Sequence, residues 1–432
     1  MFIRLLIVFS FILGNSFLLQ AKAQNENLSQ PIPGQFIVKF KDQKGNASEK
    51  ADKIEKKHGA MTDNVLENSF KGAVVHVPPG KEKDLANDPD VEQLIQDFTV
   101  YAIGKPDDQF DTNGNVMGGV SMGGSQPPQV IPTGINWIDA ELNTTNEGSG
   151  VTVAVLDTGI DFSHPDLMVN RSLSRDFSGD NTGGNDNNKS IGGHGTHCAG
   201  VIAALDNSIG VLGTGFKIDL VSVKVLRGSG SGSFGSIISG LDYVTANANV
   251  IGVTNSSFGA NGGTNPSQSY LDAVNLLRAA YQRAANAGVI NVVAAGNESV
   301  NVTTNNASPA MFPEVITASA VSDSNGVQDS ADSWASFSNF GPEVDIIAPG
   351  VNILSTAIGG GYSSLSGTSF SSPHVAGTVA LYISKNGRPA NGDAQLLSSL
   401  ISAISKTRSP LPGEPADGYT EPSCYANGAG LK

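Results

Sequence analysis

From about residue 131 to residue 408, short apolar runs rich in β-branched residues alternate with longer segments that have helical spacing. The runs include residues 151–156, 220–226, 250–255, 289–294, 315–320 and 344–347. Alternation of this kind is typical of a parallel sheet that is covered by helices on both faces. The pattern therefore predicts an α/β fold, a three-layer doubly wound parallel sheet, for a domain that spans residues 130–408.

A smaller unit with a different pattern precedes this domain, between residues 33 and 103. Alternating residues predict strands at 35–40, 73–77, 91–95 and 98–101, and helical spacing predicts helices at 48–58 and 81–85. Strands and helices of this number form a small α+β domain rather than a repeat of the alternation that follows it.

The first residues predict where the protein goes. Arg4 is followed by an apolar run at residues 5–13, and Ala21-Lys22-Ala23 has the small-x-small pattern of a signal peptidase site. Asn15 and Ser16 interrupt the apolar residues well short of the ~20 that a spanning helix needs. We therefore interpret residues 1–23 as a cleaved signal peptide and expect a secreted, extracellular protein that has no membrane segment after its removal.

Two segments lack any periodicity. Residues 104–129 are rich in Gly, Asp, Asn, Ser and Pro, which predicts an exposed linker that is easily cut. Residues 409–432 are rich in Pro and Gly, and we expect a loop or a loosely attached C-terminal tail.

Composition excludes some classes of function. The chain has 432 residues and a formal net charge of -14, whereas nucleic-acid binding needs clustered Lys and Arg. We therefore expect no nucleic-acid partner.

With only Cys198 and Cys424 present, a disulfide framework does not hold the fold together. One bridge between them stays open, although the position of Cys198 inside an apolar helix favours a buried free thiol.

Three motifs supply an acid, a base and a nucleophile. Asp157 follows the buried strand Val153-Ala154-Val155-Leu156, His194 opens an apolar helix between two glycines, and Ser369 lies at a tight turn before another buried helix. Catalytic groups in parallel α/β sheets cluster at the carboxyl ends of strands. A serine hydroxyl needs a base to take its proton, and a buried carboxylate fixes the imidazole that does so. Each residue alone could be structural, but the three together favour a catalytic triad.

The three motifs resemble those of the subtilisin superfamily, in the same order of Asp, His and Ser. His-Gly-Thr-His-Cys-Ala-Gly at residues 194–200 is most similar to the proteinase K-like branch, and residues 33–101 are similar to the family's propeptide inhibitor domain. The resemblance implies a secreted serine endopeptidase that works through an acyl-enzyme on protein and peptide substrates. It also implies a monomeric enzyme made as an autoprocessed zymogen, inhibited by its own propeptide and cut between Gly104 and Gln129.

The same resemblance assigns further site residues. Asn297 would donate to the oxyanion hole, Ser257-Phe258-Gly259 would pair with the substrate backbone, and Ala294, Ala295 and Gly296 would form a wall of the primary pocket. A pocket lined by small residues and without a charged side chain favours substrates that have an apolar or aromatic residue before the scissile bond. A structural Ca²⁺ would be held by Asp345 and the backbone carbonyls of Pro313 and Val315, with no organic cofactor. The Asp- and Asn-rich residues 176–188 are either a second ion site or a solvated loop.

Two alternatives come from other classes of protein. A catalytically silent relative would act as a binding module, but such proteins replace a residue of the triad, and none is replaced here. An acid-acting sedolisin would carry Glu and Asp in place of His194 and Asn297. A lipase or esterase is disfavoured because Ser369 lacks the Gly-x-Ser-x-Gly elbow.

Overall fold

The structure is a computed structural model and describes residues 28–103, 126–190, 192–391 and 394–427. The expected signal peptide at residues 1–23 and most of the expected linker at residues 104–129 lie outside the described residues. Within the described ranges, no helix has the length and apolar character needed to cross a membrane.

The N-terminal unit is an antiparallel sheet with a helix packed on it. Its elements are β1 (Pro31–Phe40), α1 (Ala47–His58), β2 (Met61–Leu66), β3 (Gly72–His76), α2 (Glu82–Ala86) and β4 (Val91–Ala102). The strands lie in the order β4-β1-β3-β2, and α1 buries Ala47, Ala51 and Ile54. The sequence did not predict β2, because Asp63 and Asn64 break its apolar alternation. The sequence pattern also predicted two strands, at residues 91–95 and 98–101, where the structure has the single continuous strand β4.

The remaining described residues form the larger domain. Its helices are α3 (Thr133–Trp137), a 3-10 turn (Ala140–Leu142), α4 (His194–Ala203), α5 (Phe234–Ala246), α6 (Gln268–Asn286), α7 (Thr368–Asn386) and α8 (Ala394–Ala403). Its strands are β5 (Thr152–Asp157), β6 (Arg175–Asp176), β7 (Asp219–Lys224), β8 (Ser231–Ser233), β9 (Ile251–Ser256), β10 (Phe258–Asn261), β11 (Ile290–Ala294), β12 (Ala307–Ser308), β13 (Ile316–Ser322), β14 (Ser333–Trp334), β15 (Ile346–Pro349), β16 (Ile353–Ala357), β17 (Gly361–Leu365), β18 (Ser405–Lys406) and β19 (Ser423–Cys424).

The central sheet confirms the predicted fold class. Its strands lie in the order β18-β19-β15-β13-β11-β9-β5-β7-β6, and those from β19 to β6 are parallel. Successive residues of β5 belong to different cores: Val153 and Val155 pack with α4 and α7, and Ala154 and Leu156 pack with α5 and α6. After β5 the chain adds β6 and β7 on one side of that strand and then β9, β11 and β13 on the other side, so the strand order reverses between β5 and β9. Ligands of doubly wound sheets bind at such a switch point, so the carboxyl end of β5 is the place to look for a site.

The C-terminal segment is not the loosely attached tail that its Pro and Gly content suggested. Ser423 in β19 pairs with Ile347 in β15, which adds this strand to the central sheet. Arg408 is ion-paired with Glu414 at 2.7 Å and with Glu421 at 3.3 Å, and all three side chains are largely buried. A two-residue strand has no periodicity, so the sequence pattern could not reveal this attachment.

Candidate active site

Asp157 and His194 meet at the switch point of the sheet. Asp157 is the last residue of β5, and His194 is the first residue of α4. His194 Nδ1 lies 2.8 Å from Asp157 Oδ1 and 2.9 Å from Oδ2, and both side chains are fully buried. A Cβ at residue 195 would lie 2.2 Å from the carbonyl oxygen of Gly159. Only glycine therefore lets the helix begin this close to the turn after Asp157.

Ser369 lies in the first turn of α7, directly after Gly367 and Thr368. Its hydroxyl donates to the carbonyl oxygen of Ile103 and lies 3.1 Å from that of Ser257. In the described part of the chain, His194 Nε2 is buried without a hydrogen-bond partner. The Asp–His pair is thus assembled, while the serine hydroxyl faces the end of the N-terminal unit instead of the imidazole.

Asn297 lies on the other side of the Ile103 carbonyl. Its Nδ2 donates to Ile103 O at 3.3 Å, and its Oδ1 accepts from both the backbone N–H and the hydroxyl of Thr368 at 2.9 Å each. These two bonds orient the amide so that its N–H₂ group faces the carbonyl. The sequence did not predict that Thr368 orients the Asn297 amide. The only sign of this role was the position of Thr368 within the Gly-Thr-Ser motif.

The end of the N-terminal unit lies in the cleft as an added strand. Tyr101 pairs with Gly259 and Ala102 with Phe258 on one side, and Tyr101 pairs with Ser231 on the other. Ile103 N–H donates to Ser257 O at 3.2 Å. Backbone pairing of this kind is independent of side chains, so any extended peptide could bind in the same way.

The cavity beside Ile103 contains the predicted pocket wall and also a charge. Ala294, Ala295 and Gly296 line it together with Glu298 and Asn339. Asn339 Nδ2 donates to Glu298 Oε2 at 2.8 Å, which fixes the carboxylate in place. The expectation of a pocket without a placed charge was therefore wrong. Glu298 directly follows Asn297 in the sequence, where its side-chain direction could not be predicted.

Two carboxylates dock the N-terminal unit away from the cleft. Asp97 accepts from the backbone N–H of Gly235 in the first turn of α5 at 3.2 Å, and Asp242 of the same helix accepts from the N–H of Asn68 at 2.6 Å. A carboxylate at a helix N-terminus satisfies donors that lack a partner within the helix. Burial raises the pKa of Asp97 to about 6, against the opposing effect of its hydrogen bonds. Asp97 of the N-terminal unit thus caps α5, and Asp242 of α5 binds backbone N–H groups of the bend after β2.

The other polar groups near the site have structural partners. Burial lowers the pKa of His197 to about 3 and that of His374 to about 4, so both are neutral near pH 7. Cys198 Sγ donates to Ser369 O at 3.4 Å, and burial raises the pKa of its thiol. Cys198 and Cys424 are both free and buried.

The carboxylates of the Asp- and Asn-rich segment at residues 176–188 accept hydrogen bonds from the protein itself. Asp176 Oδ2 accepts from the backbone N–H of Thr182 at 2.7 Å. Asp186 accepts from the hydroxyl of Thr196 at 2.7 Å, which the sequence did not predict, and so holds the first turn of α4. These contacts favour the loop interpretation of the segment over an ion site.

The residues named for Ca²⁺ lie around one pocket. Pro313, Val315 and Asp345 line it together with Glu343. Asp345 Oδ2 accepts from the N–H of Thr317 at 2.8 Å. Two carboxylates beside backbone carbonyls form a set of hard oxygen donors, which is the kind that Ca²⁺ prefers. The donor set therefore fits the ion.

Comparison with known proteins places the larger domain in one family. Residues 148–409 match the model of the subtilase family. The chain is 44% identical over 262 residues to a thermostable alkaline protease of Halalkalibacterium halodurans, a match that covers 60% of this chain and 64% of that protein. It is 40% identical over 262 residues to subtilisin DY of Bacillus licheniformis, covering 60% of this chain and 86% of that protein. The crystal structure of a cold-adapted subtilisin-like serine proteinase superposes with a TM-score of 0.52 at 33% identity, covering 66% of this chain and 91% of that one.

Proposed function

Because the chain belongs to the subtilase family, we propose that it is a secreted serine endopeptidase, made as a precursor that cuts itself. The observation that carries this proposal is the position of Ile103. Its carbonyl oxygen lies between the hydroxyl of Ser369 and the amide Nδ2 of Asn297. A peptide carbonyl held between a nucleophile and an oxyanion donor is the arrangement that acyl transfer needs.

The proposed chemistry follows from these positions. Ser369 Oγ attacks the carbonyl carbon, and His194 Nε2 takes the hydroxyl proton as the Oγ–C bond forms. Asp157 stabilises the imidazolium, and Asn297 Nδ2 donates to the oxygen as it becomes negative. His194 then returns the proton to the leaving amine when the C–N bond breaks. Water, activated by the same imidazole, hydrolyses the acyl-enzyme and frees Ser369.

The proposed maturation bond is Ile103–Gly104. It lies immediately before the segment, from Gly104 to Gln129, in which the sequence predicted the cut. The N-terminal unit would remain docked as an inhibitor after the cut, because its strand pairing and the hydrogen bonds of Asp97 and Asp242 do not depend on the broken bond. Removal of residues 1–23 on export would precede this step.

Turnover of a defined peptide tests the proposal and its specificity together. We expect a substrate in which Val-Tyr-Ala-Ile is followed by a chromogenic leaving group to be cleaved after Ile, since residues 100–103 already occupy the cleft. Replacing that Ile by Glu should lower kcat/KM by about 100-fold, because Glu298 would repel a second carboxylate in a partly desolvated pocket. The measurement is the rate of release of a chromogenic leaving group.

A fluorophosphonate probe separates catalysis from binding in the same sample. The probe labels only an activated serine, so the proposed enzyme should be labelled at Ser369 and should cleave the peptide. Equal rates for the Ile and Glu peptides would refute the pocket assignment alone. Absence of both labelling and cleavage would favour the binding-module alternative.

Calcium removal should lower the thermal stability of the mature enzyme. If Asp345, Pro313 and Val315 hold Ca²⁺, chelation should reduce the melting temperature by about 5–10 °C. The measurement is thermal unfolding of the inhibited enzyme with and without a chelator. Asp345→Asn should remove this dependence on Ca²⁺, whereas the control Asp206→Asn, an exposed carboxylate outside the pocket, should retain it. A chelator effect of equal size in Asp345→Asn would contradict the assignment.

A further inference from the structure

A fully buried lysine lies directly beside the strand that carries Asp157. Lys224 ends β7, and it is the register partner of Asp157 at the end of β5. None of its surface is exposed to solvent. Burial of an ammonium group is costly unless its protons are accepted and its charge is balanced. A lysine in this position therefore has to be held by specific partners.

The partners of Lys224 satisfy all of its hydrogen-bonding capacity. Its Nζ donates to Thr158 O at 2.6 Å, to Leu226 O at 2.8 Å and to Asn187 Oδ1 at 2.9 Å. Asp180 Oδ2 lies 3.3 Å away and supplies the opposite charge. An ammonium has three donors, so these contacts fix the position of the group completely.

Thr158, the first of these partners, is hydrogen-bonded to Asp157 and to the residue that follows His194. Its backbone N–H donates to Asp157 Oδ1 at 2.6 Å. Its hydroxyl accepts from the N–H of Gly195, the residue after His194, at 3.0 Å. The carbonyl that Lys224 holds thus belongs to a residue that connects the end of β5 to the beginning of α4.

Asn187 provides a second route to the same helix. It follows Asp186, whose carboxylate accepts from the N–H of Thr196 at 3.1 Å and from its hydroxyl at 2.7 Å. Thr196 lies in the first turn of α4, two residues after His194. One ammonium group therefore anchors two segments that each contact the beginning of the helix that carries the base.

We propose that Lys224 is a positioning residue that fixes the geometry of Asp157 and His194 through Thr158 and Asn187. The inference rests on the proposed peptidase function. Its consequence is that Lys224 contributes to the rate of the chemical step without touching substrate. Small displacements of a catalytic base are costly, since an error of about 1 Å can reduce a rate by about 100-fold.

The test is Lys224→Met in the mature enzyme, with active sites counted by fluorophosphonate titration. We expect kcat per titrated site to fall at least about tenfold, with KM within about twofold, because the base is misplaced and the substrate strands are not. Thr158→Val should lower kcat in the same way, and the double variant should lose little more than the worse single one. Lys217→Met is the matched control, an exposed lysine paired with Glu147, and should behave as the wild type.

A purely structural role would give a different result. If Lys224→Met unfolds at lower temperature but keeps the wild-type kcat per titrated site, the inference is wrong. If this variant yields no titratable enzyme, Asn187→Ala decides, because Asn187 is exposed and supplies one of the three acceptors. A fall in its kcat of about three- to tenfold at constant KM supports positioning, and an unchanged kcat overturns it. If the wild type itself cleaves nothing, the proposed function fails instead.

Discussion

Replacing Ser369 with alanine should reduce peptide turnover by about a million-fold, a magnitude known for loss of the nucleophile in a subtilisin rather than one derived from this chain. The reason is that the hydroxyl in contact with the Ile103 carbonyl is the group that would form the acyl-enzyme. The nearby thiol of Cys198 cannot take its place, because it is buried and its pKa is raised. The measurement is the steady-state rate on the Val-Tyr-Ala-Ile substrate.

Ser371→Ala is the matched control for that experiment. Ser371 lies two residues further along α7, and its hydroxyl is buried without a hydrogen-bond partner in the described residues. Loss of this hydroxyl should leave turnover close to that of the wild type. Substantial activity in Ser369→Ala, or an equal loss in Ser371→Ala, would mean that another group is the nucleophile.

Asn297→Leu should lower kcat by about 100- to 1000-fold, the range known for loss of an oxyanion donor in a subtilisin. Asn297 Nδ2 lies 3.3 Å from the carbonyl oxygen of Ile103, and its hydrogen bond strengthens as that oxygen becomes negative. The donor therefore stabilises the transition state more than the bound substrate, and KM should change little. A rise in KM with constant kcat would show that Asn297 binds substrate without assisting the chemistry.

The motifs around Asp157, His194 and Ser369 are recognisable in the sequence because each contains a glycine next to, or two residues from, the candidate catalytic residue. The glycine after His194 is required by the turn after Asp157, since a side chain there would overlap the Gly159 carbonyl. Ser369 likewise needs the turn at Gly367 that precedes it. Constraints of this kind act within a few residues of the reacting group, so they leave a recognisable motif in the chain.

Contacts between distant residues were not predictable in the same way. Lys224 interrupts an apolar run, which was the only sign of its role, and its partner Asn187 is 37 residues away. The charge of Glu298 in the pocket depends on a hydrogen bond from Asn339, and the attachment of β19 depends on pairing with β15. The proposed maturation bond was inferred from the register of β4 against β10, which no local pattern contains.

The intact mass of the purified precursor, followed over time at neutral pH beside Ser369→Ala, tests the proposed self-cleavage most directly. We expect the wild type to be cleaved between Ile103 and Gly104, giving one fragment that ends in Ile103, while the variant stays whole. Two results would contradict the claim that Ser369 cleaves the Ile103–Gly104 bond. One is cleavage at the same bond and rate in both proteins, and the other is no cleavage of the wild type between pH 6 and pH 9.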